Sequence, residues 1–245
     1  MCEDNVLSKE HGDLQARPLI RRFEVSDSTS DLTQLLHRAY AQLAEMGMDY
    51  LAAYQDEAVT RRRLEGGECW VAELDGKIVG TILLHGPRPE QVGPRHSPRW
   101  YGRPGVAWFC QFAVDPSVQG RGIGALLMEA VEKRALDCGA SELACDTAIQ
   151  AKSLIGMYLH RGFRRVDMVS WSNTSYYSVV LSKPLGQADR KPSRWAHYRS
   201  WPRFAWRALT TTGMWRPDGR RRWWFRVAGQ LVSGVRGRLV PEKGR

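Results

Sequence analysis

The stretch that most limits how this chain can fold is residues 114–124, Val-Asp-Pro-Ser-Val-Gln-Gly-Arg-Gly-Ile-Gly. An apolar segment, Trp108 to Val114, runs into it, and beyond it Ile123, Leu126, Leu127, Ala130 and Val131 recur at i, i+3, i+4, i+7 and i+8. That order predicts a strand, a glycine-rich turn and an amphipathic helix. Gly120, Gly122 and Gly124 allow a sharp turn and leave amide N–H groups uncovered where the helix begins. Those donors and the positive end of the helix dipole point the same way, so the turn suits an anion, best a phosphate or pyrophosphate. Arg121 adds a mobile positive charge. No Lys-Ser/Thr pair follows the last glycine, which excludes a Walker loop, and Ala125 stands where a dinucleotide fingerprint needs its third glycine.

The flanking sequence supplies the rest of a sheet. Leu19 to Val25 reads as a strand, and Ser30 or Asp31 as the cap of a helix whose apolar face is Leu32, Leu35, Leu36, Ala39, Tyr40 and Leu43. A second helix is expected over Leu51 to Leu64, ending at Gly66-Gly67, with Arg61-Arg62-Arg63 as a solvated face. Trp70 to Leu74 and Lys77 to Leu84 flank Asp75-Gly76, a hairpin signal. The proline- and glycine-rich run from His85 to Arg103 reads as a long loop facing substrate. The central helix ends at Gly139; a strand follows at Leu143 to Thr147, a helix at Ala151 to Arg161, and strands at Phe163 to Val169 and Tyr176 to Leu181. This succession predicts an α/β fold, a mixed sheet with helices on both faces.

Charge divides the chain. The overall net charge is +10, yet from Gln187 onward fifteen Lys/Arg stand against three Asp/Glu, and six of the ten tryptophans fall there. The expected organisation is a polar leader over 1–17, a catalytic-sized domain over 18–186 and a basic Trp/Arg-rich extension over 187–245, poorly ordered or partly helical. Tryptophan beside arginine suits weak contact with an anionic membrane or with nucleic acid. The five cysteines form no CxxC pair and have no histidine at zinc spacing, so no metal is expected. Cys69, Cys110 and Cys145 lie in strand-like runs and read as buried thiols. No run approaches a membrane span and the first eighteen residues lack the apolar centre of a secretory signal, so a cytoplasmic protein is expected.

Three phrases in order carry a family resemblance: Phe112-Ala113-Val114-Asp115-Pro116, then Gln119 with Gly122 and Gly124, then Tyr158-Leu159-His160-Arg161-Gly162-Phe163. Together they resemble the GNAT superfamily of N-acetyltransferases over roughly residues 18–185. The resemblance implies a mostly antiparallel central sheet and acetyl-CoA as co-substrate. It places the diphosphate on the amides of Gln119, Gly120, Arg121, Gly122, Ile123, Gly124 and Ala125, and the pantetheine arm along the backbone of Phe112, Ala113 and Val114. Tyr158 falls at the family's general acid. An Asn common seven residues before it is Ala151 here. A phenol stays protonated at neutral pH and can protonate a departing thiolate.

The amine also needs help, because a primary alkyl amine is neutral in only roughly one molecule in two thousand at pH 7. Asp146, at the carboxyl end of its strand, is the first choice of base; His85 and Glu68 are weaker ones. With no Gly-x-Ser-x-Gly and with Cys110 inside a strand, direct attack in a ternary complex is expected rather than an acyl-enzyme. The acceptor is a small-molecule or peptide/protein amine, and a second copy of the chain is a further candidate partner, as a homodimer. The competing readings are a non-catalytic acyl-CoA sensor on the same fold and a surface-binding protein acting through 187–245.

Overall fold

The computed structural model describes residues 17–87, 98–172 and 174–186. The expectations for the extension over 187–245 and for nearly all of the leader therefore lie outside the described residues. Among the described residues seven strands form one sheet: β1 (Leu19–Arg22), β2 (Glu68–Leu74), β3 (Lys77–His85), β4 (Val106–Val114), β5 (Glu142–Ala148), β6 (Arg164–Ser170) and β7 (Tyr177–Pro184). Their order across the sheet is β1-β2-β3-β4-β5-β7-β6, and β4 with β5 is the parallel pair in an otherwise antiparallel sheet. The helices are α1 (Thr29–Glu45), α2 (Glu57–Glu65), α3 (Ile123–Asp137) and α4 (Lys152–His160).

Alternation along the strands assigns the two layers. Cys69, Val71 and Leu83 face Leu32 and Leu35 of α1. Ala72, Ile82 and Leu84 point the other way, against Ile123, Leu127, Met128 and Val131 of α3, and α4 adds Ile155 and Tyr158 on that side. Helices thus cover both faces. Among the described residues no helix is long and apolar enough to cross a membrane.

Several stretches depart from the sequence reading, the first three below for a local polar reason and the fourth for an apolar one. The first strand stops at Arg22 because Asp27 folds the chain back, accepting from the Glu24 amide (2.7 Å) and from Arg21 Nη1 (2.7 Å) and Nη2 (2.8 Å). The cap of α1 is Ser28, whose Oγ accepts from Asp31 N at 3.1 Å; this leaves Asp31 in the first turn, where the dipole favours an acid. The expected helix over 51–64 is two pieces, a 3-10 turn at Leu51–Ala53 and then α2, because Asp56 accepts from Val59 N at 2.7 Å and starts a new helix. The loop after β3 is not polar throughout: a turn at Arg99–Gly102 buries Trp100 and Tyr101 beside Val106 and Ala144.

β4 carries the irregularity that matters most. Leu83 opposes Cys110 while Thr81 opposes Ala113, so β4 holds one residue more than its partner. Gln111 takes φ 50 at this bulge, a left-handed conformation that an L side chain adopts only under constraint.

Candidate functional site

β4 and β5 pair only at Val106–Glu142, Ala107–Leu143 and Trp108–Ala144. Beyond that they part, although β4 keeps its pairing with β3 and β5 keeps β7 through Ala148. The inner edges at 109–114 and 145–148 are left unpaired with each other, and a cavity of ≈ 930 Å³ opens between them. An extended chain with amide groups could dock along such an edge.

At one end of the cavity stands the glycine-rich loop. Gly120 (φ 81) and Gly122 (φ 78) have left-handed backbones, and a Cβ at either would meet nothing within 4 Å, so glycine is required there by conformation and the space above it is open. Gly122 caps α3 with no side chain, and its carbonyl accepts from both Ala125 N (2.9 Å) and Leu126 N (3.2 Å). No amide from Gly120 to Gly124 donates to a described residue. Gln119 closes the loop by donating Nε2 to the Val114 carbonyl at 3.1 Å. Gly124 lets α3 approach β4, since a Cβ there would lie 3.2 Å from Phe112 Cζ. Phe112, Ala113, Val114, Gln119, Gly120, Gly122, Ile123, Gly124 and Ala125 all line the cavity, whereas Arg121 is exposed and off the lining. A row of free amides at a helix mouth, open above the glycines, fits a diphosphate.

Tyr158 lies on the opposite wall. Its ring packs against Phe163 (5.5 Å between centroids) and Phe109 (6.0 Å), and it sits beside the Cys145 thiol. Burial pushes its phenol well above the ordinary range, so it holds its proton. Ala151 caps α4 without a side-chain bond.

Asp146 also lines the cavity, and its carboxylate is fully oriented: the Tyr101 hydroxyl donates to Oδ1 and Trp171 Nε1 to Oδ2, both at 2.9 Å. Tyr101 stacks on Trp108 (4.8 Å, 3°) and Trp108 on His85 (3.7 Å, 10°), which makes an aromatic wall. His85 Nδ1 lies 2.8 Å from the Gly66 carbonyl, and a carbonyl only accepts, so Nδ1 carries the proton; Nε2 faces Cys110 Sγ at 3.7 Å. Glu68 is not on the lining and is held by Arg134 through two bonds of 2.7 and 2.8 Å.

Several lining residues escaped the sequence reading. Tyr101 and Trp171 orient Asp146, and the signal for Tyr101 was the pair Trp100-Tyr101 inside an otherwise polar loop. Gln111 is 95% buried in the bulge, and its Nε2 has no partner among the described residues. Of the arginine run expected as a solvated face, Arg61 and Arg62 are exposed, Arg61 pairing with Glu57 at 2.7 Å, but Arg63 is half-buried, and Arg62 and Arg63 both border the cavity. Successive helical residues point about 100° apart, so three in a row do not share one environment. Cys69 and Cys145 are buried, but Cys110 is only partly so because it opens onto the cavity.

Known proteins resemble this chain in sequence and in fold. The model of the acetyltransferase (GNAT) family matches residues 30–163. The S-(2-succino)cysteine N-acetyltransferase of Bacillus subtilis is 32% identical over 146 residues, covering 59% of this chain and 83% of that protein. The S-alkylcysteine N-acetyltransferase of the same organism is 25% identical over 147 residues, 59% of this chain and 78% of that one. Among solved structures, a Pyrococcus horikoshii protein superposes with a TM-score of 0.53 at 20% identity, over 69% of this chain and 99% of its own. The ribosomal-protein-S18-alanine N-acetyltransferase of Escherichia coli gives 0.52 at 15% identity, over 71% and 97%. These two share the fold.

Proposed function

This chain belongs to the acetyltransferase (GNAT) family, and from that premise we propose that it moves the acetyl group of acetyl-CoA directly onto the α-amine of a small S-substituted cysteine. The single observation that carries the transfer reaction is the shared cavity: free loop amides, a strand edge with no partner strand and a buried phenol all border one space at the parting of β4 and β5. The amides of Gly120 to Gly124 hold the diphosphate, and the β4 edge at Phe112 to Val114 takes the amide-bearing arm. The family provides the acetyl donor as a thioester; the remaining chemistry belongs to this chain's side chains.

The acceptor follows from two relatives named for acetylating S-modified cysteines. An S-alkyl substituent suits the cavity, because Trp108, Tyr101, Trp171 and Tyr176 offer it an apolar wall. An α-amine is also less basic than an alkyl amine, by up to about two units, so a larger share is neutral at pH 7. Asp146, fixed by Tyr101 and Trp171, orients the amine and accepts its proton. In the transfer the amine nitrogen bonds to the acetyl carbon, the carbon–sulfur bond breaks, and the sulfur gains a proton from the Tyr158 hydroxyl. The amine's proton leaves toward Asp146, and solvent restores Tyr158. Burial stabilises the protonated phenol and also raises the basicity of the departing thiolate, which keeps the proton transfer feasible.

The test is acetyl-CoA with a panel of amines, read by intact mass of the products. S-methylcysteine and S-(2-succino)cysteine should gain a single acetyl group faster than peptide N-termini or lysine. Acetylation of peptides alone would replace this acceptor, and no transfer to any amine would defeat the reading.

A further inference from the structure

Arg62, Arg63 and Arg161 put three guanidinium groups on the cavity lining, and none has a carboxylate partner among the described residues. Arg63 differs from Arg62 in being half-buried, at the last turn of α2, where the helix ends on the bond from Gly66 N to the Arg63 carbonyl (3.1 Å). It lies near enough to the Cys110 thiol, which lines the same cavity, for its charge to act on that thiol. Burial raises that thiol's pKa while Arg63 lowers it and Asp146 raises it, so Cys110 feels a cation from one side and an anion from the other. The Tyr40 phenol, on α1, feels the same two charges.

The floor of Cys110 and Tyr40 therefore lies within reach of a fixed positive group and a fixed negative one. A half-buried cation without a counter-ion is unfavourable, and a planar guanidinium is matched in geometry by a carboxylate that accepts two bonds. Asp146 does not fill that role: no ion pair joins it to Arg63, and its oxygens are oriented by Tyr101 and Trp171 with lone pairs left over. Among the described residues no carboxylate pairs with Arg63, and a substrate carboxylate would supply the counter-ion.

We propose that Arg63 binds the free carboxylate of the acceptor while Asp146 faces its amine, so that the site selects a free amino acid over an amine or peptide that lacks the carboxylate. The inference rests on the acceptor reading given under Proposed function and adds the residue that enforces it.

Two acceptors, S-methyl-L-cysteine and S-methyl-L-cysteinamide, differ only in that carboxylate. They are compared with unaltered protein and with R63Q, R63K and R62Q, by steady-state kinetics and by calorimetric binding without acetyl-CoA. The unaltered protein should prefer the acid by about tenfold or more in Kd and KM, the scale of one charge-assisted pair. R63Q should erase that preference with kcat changed by less than about threefold, R63K should restore part of it, and exposed R62Q should keep most of it. Unchanged acetyl-CoA affinity and melting temperature in R63Q would show that the fold survives. An acid preference that persists in R63Q, in binding or in KM, overturns the inference. Absence of turnover with both acceptors would count against the acetyl-transfer reading, while the binding comparison would still decide the role of Arg63.

Discussion

The roles proposed for Tyr158 and Asp146 are separable, and single-atom changes distinguish them. Tyr158→Phe removes only a hydroxyl from a well-packed ring, so the fold and acetyl-CoA affinity should stay while kcat falls by roughly a hundredfold or more, the usual contribution of a positioned acid. Because burial raises this phenol's pKa, its acid form persists as pH rises; kcat should show no alkaline decline up to about pH 10. A fall in kcat centred below that would assign the proton to another group. Asp146→Asn replaces an acceptor-only group by one that presents an NH2 to Tyr101 or Trp171, so one of two buried donors loses its partner. Expected are a drop of tenfold or more in kcat/KM for the amine and a loss of about 1 kcal/mol in stability, read from turnover and chemical denaturation of the same preparation.

At the scale of elements, the loop and α3 act as one device. Gly122→Ala adds a methyl that meets nothing, so any effect comes from the left-handed backbone, worth about 1–2 kcal/mol, and from the re-aimed amides. Affinity for acetyl-CoA should fall by about tenfold while affinity for the free amine is unchanged; equal losses for both would mean general unfolding instead. The glycine spacing and helical periodicity make this element legible in the sequence alone. The bulge at Gln111 was not, because register against β3 is a pairwise property that Cys110, Gln111 and Phe112 do not display alone. For the same reason Tyr101 read as part of a loop: its partners, Trp108 and Asp146, come from two other strands. The split of residues 51–64 into a turn and α2 was misread because an internal Asp56 looks polar-faced until its bond to Val59 N makes it a cap.

Across the whole molecule, two depressed carboxylates tie the sheet to its surroundings. Arg21 holds Asp27 below the ordinary aspartate range, and Arg134 of α3 does the same to Glu68 of β2. A depressed folded-state pKa contributes stability at pH above the ordinary value, lost as pH falls through the folded one. The melting temperature should therefore decline below about pH 4, and D27N with E68Q should flatten that decline. The fold's layers and the proposed anion-binding loop are readable from periodicity and glycines; the proposed acceptor end, with Arg63, Tyr101 and Trp171 on the cavity lining, emerges only where distant segments meet. What joins the two ends is the claim that free amides at the mouth of α3 grip a diphosphate. The direct measurement is a titration of 15N-labelled protein with CoA, ADP and adenosine, following the amide signals of Gly120, Gly122 and Gly124. CoA and ADP should move these signals downfield and adenosine should not. CoA binding that leaves them unmoved would contradict the account.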